Sequence, residues 1–228
     1  MKRTQIILYK IRPGTPKPVK YRLYERINTG GLKLNSQEIR HALNQGIAAD
    51  YIEELSKLPE FQKIVKISSA RMLDRELVLR YIAFREKYFS NYKPFLTQFL
   101  YDAMEKIATL LDGKREQLKP ELVNALKTVN QIFGTKAFRK ITESKARYNG
   151  ALFETWTVHL SQLTDEERTL LALNKTQVID SFKLLLTQDT TFFESISKGN
   201  SRLKDIETRF SKVEQLIKNV LDNPYLRR

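Results

Sequence analysis

From Asp74 to the last residues, apolar side chains recur at intervals of three and four, and that period restricts this part of the chain to amphipathic helices packed on one another. Leu77, Val78, Tyr81, Ile82, Tyr88 and Phe89 mark one helix, for which Asp74 is the expected N-cap. Lys93-Pro94 starts a second, from Leu96 to Leu111, and Pro120 starts a third that ends at Gly134. Ala146 to Leu163 carries Leu152, Phe153, Trp156 and Leu160 on its buried side, and the capping box of Thr164 with Glu167 opens a helix expected to run to about Leu186. Leu203, Ile206, Phe210, Val213, Ile217 and Val220 form a short heptad seam, expected to pack antiparallel on a neighbouring helix or to contact another protein. The twelve Phe and ten Tyr fall mostly at helical spacing, which reads as core rather than as a base-stacking platform.

The first third of the chain is patterned differently. Thr4 to Ile11 is the one β-prone, apolar stretch, and a lone strand needs a sheet that this sequence hardly supplies. The expectation is a chain that starts partway through a domain or borrows its neighbouring strands from a partner. Two helical patterns, Val19 to Ile27 and Ser36 to Leu43, flank Asn28-Thr29-Gly30-Gly31; Asn35 and Glu38 have capping-box spacing, and Gly46 closes the second helix. Ala48 to Leu58 and Glu60 to Val65 read as short helices interrupted by Pro59, and the polar Ser68-Ser69-Ala70-Arg71 link sets a boundary between residues 1–70 and 71–228. The fold class expected is mainly α, with one N-terminal β-strand, two motif helices and then an α-helical bundle.

Charge narrows the partners. The chain carries 40 Lys and Arg against 26 Asp and Glu, and residues 1–50 hold ten basic groups against three acidic ones, whereas residues 151–200 hold four against seven. A positive field gathered at one end favours a phosphate-bearing partner, DNA or a nucleotide, over a merely solubilising surface. The chain has no Cys, which excludes disulfides and thiolate metal sites and fits the cytoplasm; its apolar runs are too short to span a membrane.

Within the basic end, Asn28-Thr29-Gly30-Gly31 is able to take positive φ angles and present backbone N–H groups, and Arg22, Arg26, Lys33 and Arg40 surround it with positive charge. One reading is an anion pocket; the other is a tight connection between helices with Arg26 and Arg40 solvated. A second knot, Arg71, Asp74, Arg75, Glu76 and Arg80, offers Arg71 and Arg75 to phosphate, or else contains Glu76 paired with Arg80 across one helical turn. The two His, His41 and His159, stand without acidic ligands at metal spacing, and no phosphate-loop, dinucleotide or nucleophile-elbow motif occurs, so no metal site and no catalytic residue is nominated.

Arg26-Ile27-Asn28-Thr29-Gly30-Gly31, followed by Leu34, Gln37, Glu38, Ile39 and Arg40, resembles the signature of the domain-of-unknown-function 262 family, a ParB-related group that includes GmrSD-type restriction proteins. Arg71 to Arg80 and Ala151 to Trp156 are similar to the helical region of members that end without a His-Asn-His nuclease. Asn28, Leu34 and Glu38 also resemble, more weakly, a box of ParB domains in which the Asn lies beside a nucleotide and its metal. The resemblance implies a nucleotide- or DNA-phosphate site made of Arg26, Asn28, Thr29, Gly30, Gly31, Gln37, Glu38 and Arg40, with NTP and Mg in a complete family site, and a role in restriction or phage defence. It further implies that the Asp-Gly-Gln-Gln-Arg half of the site is missing, so that the chain is a fragment inactive alone, a subunit completed by a separate ParB-like half, or a structural remnant.

Overall fold

A computed structural model describes residues 10–12, 14–27, 33–86, 96–110, 112–197 and 201–223. The β-prone stretch Thr4 to Ile11 lies outside these residues up to Tyr9, and Lys10 and Ile11 are irregular; among the described residues there is no strand, only an isolated antiparallel bridge between Arg139 and Tyr148. The architecture is otherwise α-helical throughout.

The two motif helices are α1 (Lys17–Ile27) and α2 (Ser36–Leu43). Asn35 caps α2 by accepting from the Gln37 and Glu38 N–H groups at 2.9 and 3.0 Å, and the Asn35 N–H donates back to Glu38 Oε2 at 2.6 Å, the reciprocal box its spacing predicts. Asn44, not Gly46, is the C-cap of α2; Gly46, at φ +93°, instead precedes α3 (Ile47–Ser56), a left-handed geometry that would strain a side chain. Pro59 is the first residue of α4 (Pro59–Ile64), where its missing N–H has no intrahelical acceptor to lose.

A 3₁₀ turn (Ser69–Arg71) leads into α5 (Leu73–Arg85). Asp74 does not cap this helix: Met72, in the left-handed region, occupies the N-cap and Asp74 lies within the first turn, where its carboxylate faces the positive end of the helix. Next come α6 (Leu96–Thr109) and α7 (Asp112–Phe133). Pro120 does not start a helix; it lies inside α7, on its exposed side, because Leu118, Leu122, Ala125 and Val129 continue one buried stripe across it. The long helix expected from Thr164 to Leu186 is two, α9 (Asp165–Leu173) and α10 (Lys175–Gln188), broken at Asn174, which closes one with its side chain on the Leu170 carbonyl and precedes the other. α8 (Gly150–Ser161), α11 (Thr190–Ser195) and α12 (Leu203–Leu221) complete the set.

One apolar core runs from Ala48 to Leu221 and includes residues on both sides of the Ser68–Arg71 link. At its centre is α8, which packs on α5, α7 and α12; Trp156 lies 5.0 Å from Phe133 and 5.5 Å from Phe182, centroid to centroid, and is edge-on to both rings. Ile206, Phe210, Val213, Ile217 and Val220 of α12 are all buried in this core, so the heptad seam is filled by the chain's own α8 to α11 and offers no face to a second protein; Leu203 is its one exposed position. A second, smaller cluster of Tyr21, Ile39 and Tyr101, with Leu43 against it, holds α1 and α2 on α6.

Candidate functional site

The start of α2 is fastened to the turn before α5. Asn35 Nδ2 donates to the Arg71 carbonyl at 2.8 Å, and Arg71 Nη2 donates to Glu38 Oε2 at 2.9 Å and to the Lys33 carbonyl at 2.7 Å. Glu38 and Arg71 therefore serve each other and the cap. Arg75 pairs with Glu53 of α3 at 3.0 Å. Both members of the secondary basic cluster, Arg71 and Arg75, thus have carboxylate partners within the fold.

Arg40 is placed differently from either sequence reading: its side chain is 1% exposed. Its Nε donates to Gln37 Oε1 at 2.9 Å and its Nη2 to Glu76 Oε2 at 3.0 Å. Glu76 also accepts from Arg80 one turn later in α5, at 2.8 Å from Nη2, and Arg80 Nη1 donates to Glu154 Oε2 of α8 at 3.2 Å. Glu154 then accepts from Nε and Nη2 of Arg209 in α12, the Nε contact being 2.9 Å. Three guanidiniums and two carboxylates alternate from α2 to α12, an arrangement with one positive charge in excess. Burial lowers the Arg40 pKa, an effect its Glu76 neighbour opposes; burial would raise the Glu76 carboxyl, but Arg80 and Arg40 together hold it below the usual range.

Two donors of this cluster have no acceptor among the described residues. Arg40 Nη1 and Gln37 Nε2 are both buried and unpartnered; Tyr21 and Tyr101 pack ring to ring at 5.7 Å, with Ser36 and Glu25 near the Tyr21 hydroxyl and Glu105 near that of Tyr101. Burial raises the Tyr21 pKa, and Tyr101 is pushed up to about 12 for the same reason, so both hydroxyls keep their protons at neutral pH. A buried donor without an acceptor costs about 1–3 kcal/mol, so Arg40 Nη1 and Gln37 Nε2, like the buried and unpartnered Nε atoms of Arg71 and Arg75, are to be met by water or by a ligand's acceptor. Arg22 and Arg26, on the exposed surface of α1, make no ion pair among the described residues. By contrast, Arg75, Arg80, Arg85, Arg115 and Arg168 of the bundle are each matched to a carboxylate.

Of the residues nominated from the sequence, Gln37, Glu38 and Arg40 come together on α2, with Glu38 turned to its cap and to Arg71. Arg26 stands exposed at the end of α1, and Asn28, Thr29, Gly30 and Gly31, in the connection between the two helices, lie outside the described residues. Glu154 and Arg209 were missed: a lone Glu in the apolar α8 and one Arg among the several charges of the amphipathic α12 leave no mark beyond their position on the buried stripe. Among the described residues no group of His and carboxylates is spaced to hold a metal; His159 Nε2 lies 2.9 Å from the Phe210 carbonyl, and no helix is long and apolar enough to cross a membrane. No protein-family model, curated protein or solved structure matches this chain.

Proposed function

We propose that the protein binds the phosphate groups of a nucleotide or nucleic acid through α1, α2 and the segment between them. The observation that carries this reading is the pair of buried, unpartnered donors on α2, Arg40 Nη1 and Gln37 Nε2, at the end of an ion-pair chain with an excess positive charge. Donors without acceptors suit a ligand made of acceptors, and guanidinium with amide is a phosphate-binding combination. Arg22 and Arg26 add exposed, unneutralised charge on the adjoining helix, which attracts a polyanion from a distance. The resemblance to the domain-of-unknown-function 262 family supports the same residues and extends the reading to restriction of foreign DNA.

The test is equilibrium binding of ATP and of a short DNA duplex across a salt series. Gln37→Glu keeps an acceptor for Arg40 Nε while removing the free donors and adding a negative charge; it is expected to weaken binding of either ligand at least about tenfold, the effect of losing one charge-assisted hydrogen bond. Arg22→Ala with Arg26→Ala is expected to flatten the salt dependence for DNA by up to about two in log–log slope. Affinity that is indifferent to salt and to both variants overturns the proposal.

A further inference from the structure

Away from α1 and α2, the 16 residues from Gly134 to Asn149 carry Lys136, Arg139, Lys140, Lys145 and Arg147 against the single acid Glu143. We propose that this loop and the cleft beneath it form a second phosphate-contact surface, one that takes the backbone of a nucleic acid.

The loop is built, not slack. The Asn149 N–H donates to the Phe138 carbonyl at 2.9 Å, Arg139 bridges Tyr148, and Arg139 Nη1 donates to the Ala146 carbonyl at 2.6 Å. Phe138 holds φ +57°, a left-handed conformation unfavourable for a bulky residue, and is kept there by a buried ring 4.9 Å from that of Phe153. Lys140 is tied down by Ser197 Oγ at 2.8 Å and lies 4.0 Å from the centroid of the Phe193 ring. Asn149 Nδ2 donates to the Ile196 carbonyl at 2.7 Å, joining the loop to the end of α11.

These fastenings leave a cleft of about 980 Å³ between the loop, the start of α8 and the approach to α12. Its charged lining divides into paired and unpaired groups. Lys140 faces Glu143 at 3.6 Å and Arg202 is held by Asp205 at 2.8 Å, while Glu194 stands near Arg202. Lys145 and Arg147 are exposed and make no ion pair among the described residues. The floor is the N-terminal end of α8, a twelve-residue helix whose Asn149 cap accepts from the Leu152 N–H, so the helix's positive end adds to the two free cations. Ile196 and Tyr148 are the two large apolar or aromatic residues of the lining, and the others are charged or polar side chains and Gly150, so it offers few of the anchoring positions that a peptide's apolar side chains use. A sugar-phosphate backbone asks only for charge and donors along an open groove.

The experiment uses the full chain and a short duplex DNA probe in a salt series, comparing wild type with Lys145→Ala/Arg147→Ala, with Arg22→Ala/Arg26→Ala, and with Lys63→Ala/Lys66→Ala, an equal charge change outside the cleft. Thermal melts confirm that each variant is folded. The cleft variant is expected to lower the log–log salt slope by about two and the affinity at least about tenfold, with Lys63→Ala/Lys66→Ala leaving the slope unchanged. An unchanged slope and affinity in Lys145→Ala/Arg147→Ala overturns the cleft, even if Arg22→Ala/Arg26→Ala binds weakly and the role of α1 and α2 stands. The reverse pattern supports the cleft while removing α1 from the DNA contact. Polyglutamate competing at lower concentration than DNA, with its binding lost in the cleft variant, also overturns the proposal in favour of an acidic protein partner.

Discussion

Single residues set the chemistry of this molecule more through burial than through exposure. Glu154 is fully buried and serves both Arg80 and Arg209, so neutralising it takes a carboxylate from both guanidiniums and leaves Arg80 with Glu76 alone as its ion-pair partner. Glu154→Gln is expected to destabilise the protein by about 3–5 kcal/mol in urea unfolding, the range for breaking a buried pair by removing one partner; a loss below about 1 kcal/mol would mean that water or another acid compensates the arginines. His159 is the second residue whose burial has a measurable consequence. Desolvation, opposed by the Phe210 carbonyl, lowers its pKa below 6.5. The unfolded chain therefore binds the proton more readily, and the stability His159 contributes is full above pH 6.5 and is lost as pH falls toward the folded-state pKa. The difference in melting temperature between wild type and His159→Gln should shrink on acidification through that window; a difference that grows would reverse the sign of the shift. The burial of Glu154, like that of Arg40 and Arg209, was not legible from residue type, since all three belong to types that pattern reading assigns to the surface.

At the level of elements, local chemistry was legible where two residues act on each other at fixed spacing. The boxes Asn35 with Glu38 and Thr164 with Glu167 both form, because each needs only its own first turn. It was not legible where a lone residue competes with packing. Pro120 has the local mark of a helix start, yet Leu118 and Leu122 on either side belong to one buried stripe and their burial holds α7 continuous across the missing N–H. Pro120→Ala restores a hydrogen bond to the Glu116 carbonyl and should raise stability by about 1–3 kcal/mol. A neutral or destabilising result would instead indicate a helix that begins at Pro120. The apolar period from Ala146 extended the expected α8 backwards over Ala146 to Asn149, the end of a fastened basic loop, which hid Arg147 as part of a separate feature.

Across the whole molecule, the helical class and the concentration of positive charge toward residues 1–50 follow from the sequence, because both are sums over many residues and tolerate local errors. The distribution of ion pairs does not, since it depends on which helices meet. It divides the cations into those matched by acids, such as Arg75, Arg85 and Arg168, and those without an ion pair among the described residues, which include Arg22 and Arg26 on α1 and Lys145 and Arg147 on the loop before α8 as well as scattered lysines such as Lys63, Lys66 and Lys175. The central claim, that the unmatched donors of α2 await phosphate, is tested most directly by ligand-linked stability. Pyrophosphate at about a hundredfold excess over its Kd should stabilise the folded chain by about 2.7 kcal/mol, a rise of roughly 5–10 °C in melting temperature for a protein of this size, and the rise should vanish in Gln37→Glu. A wild-type melting temperature unmoved by pyrophosphate, ATP and duplex DNA alike, or a rise of equal size in Gln37→Glu, would contradict it.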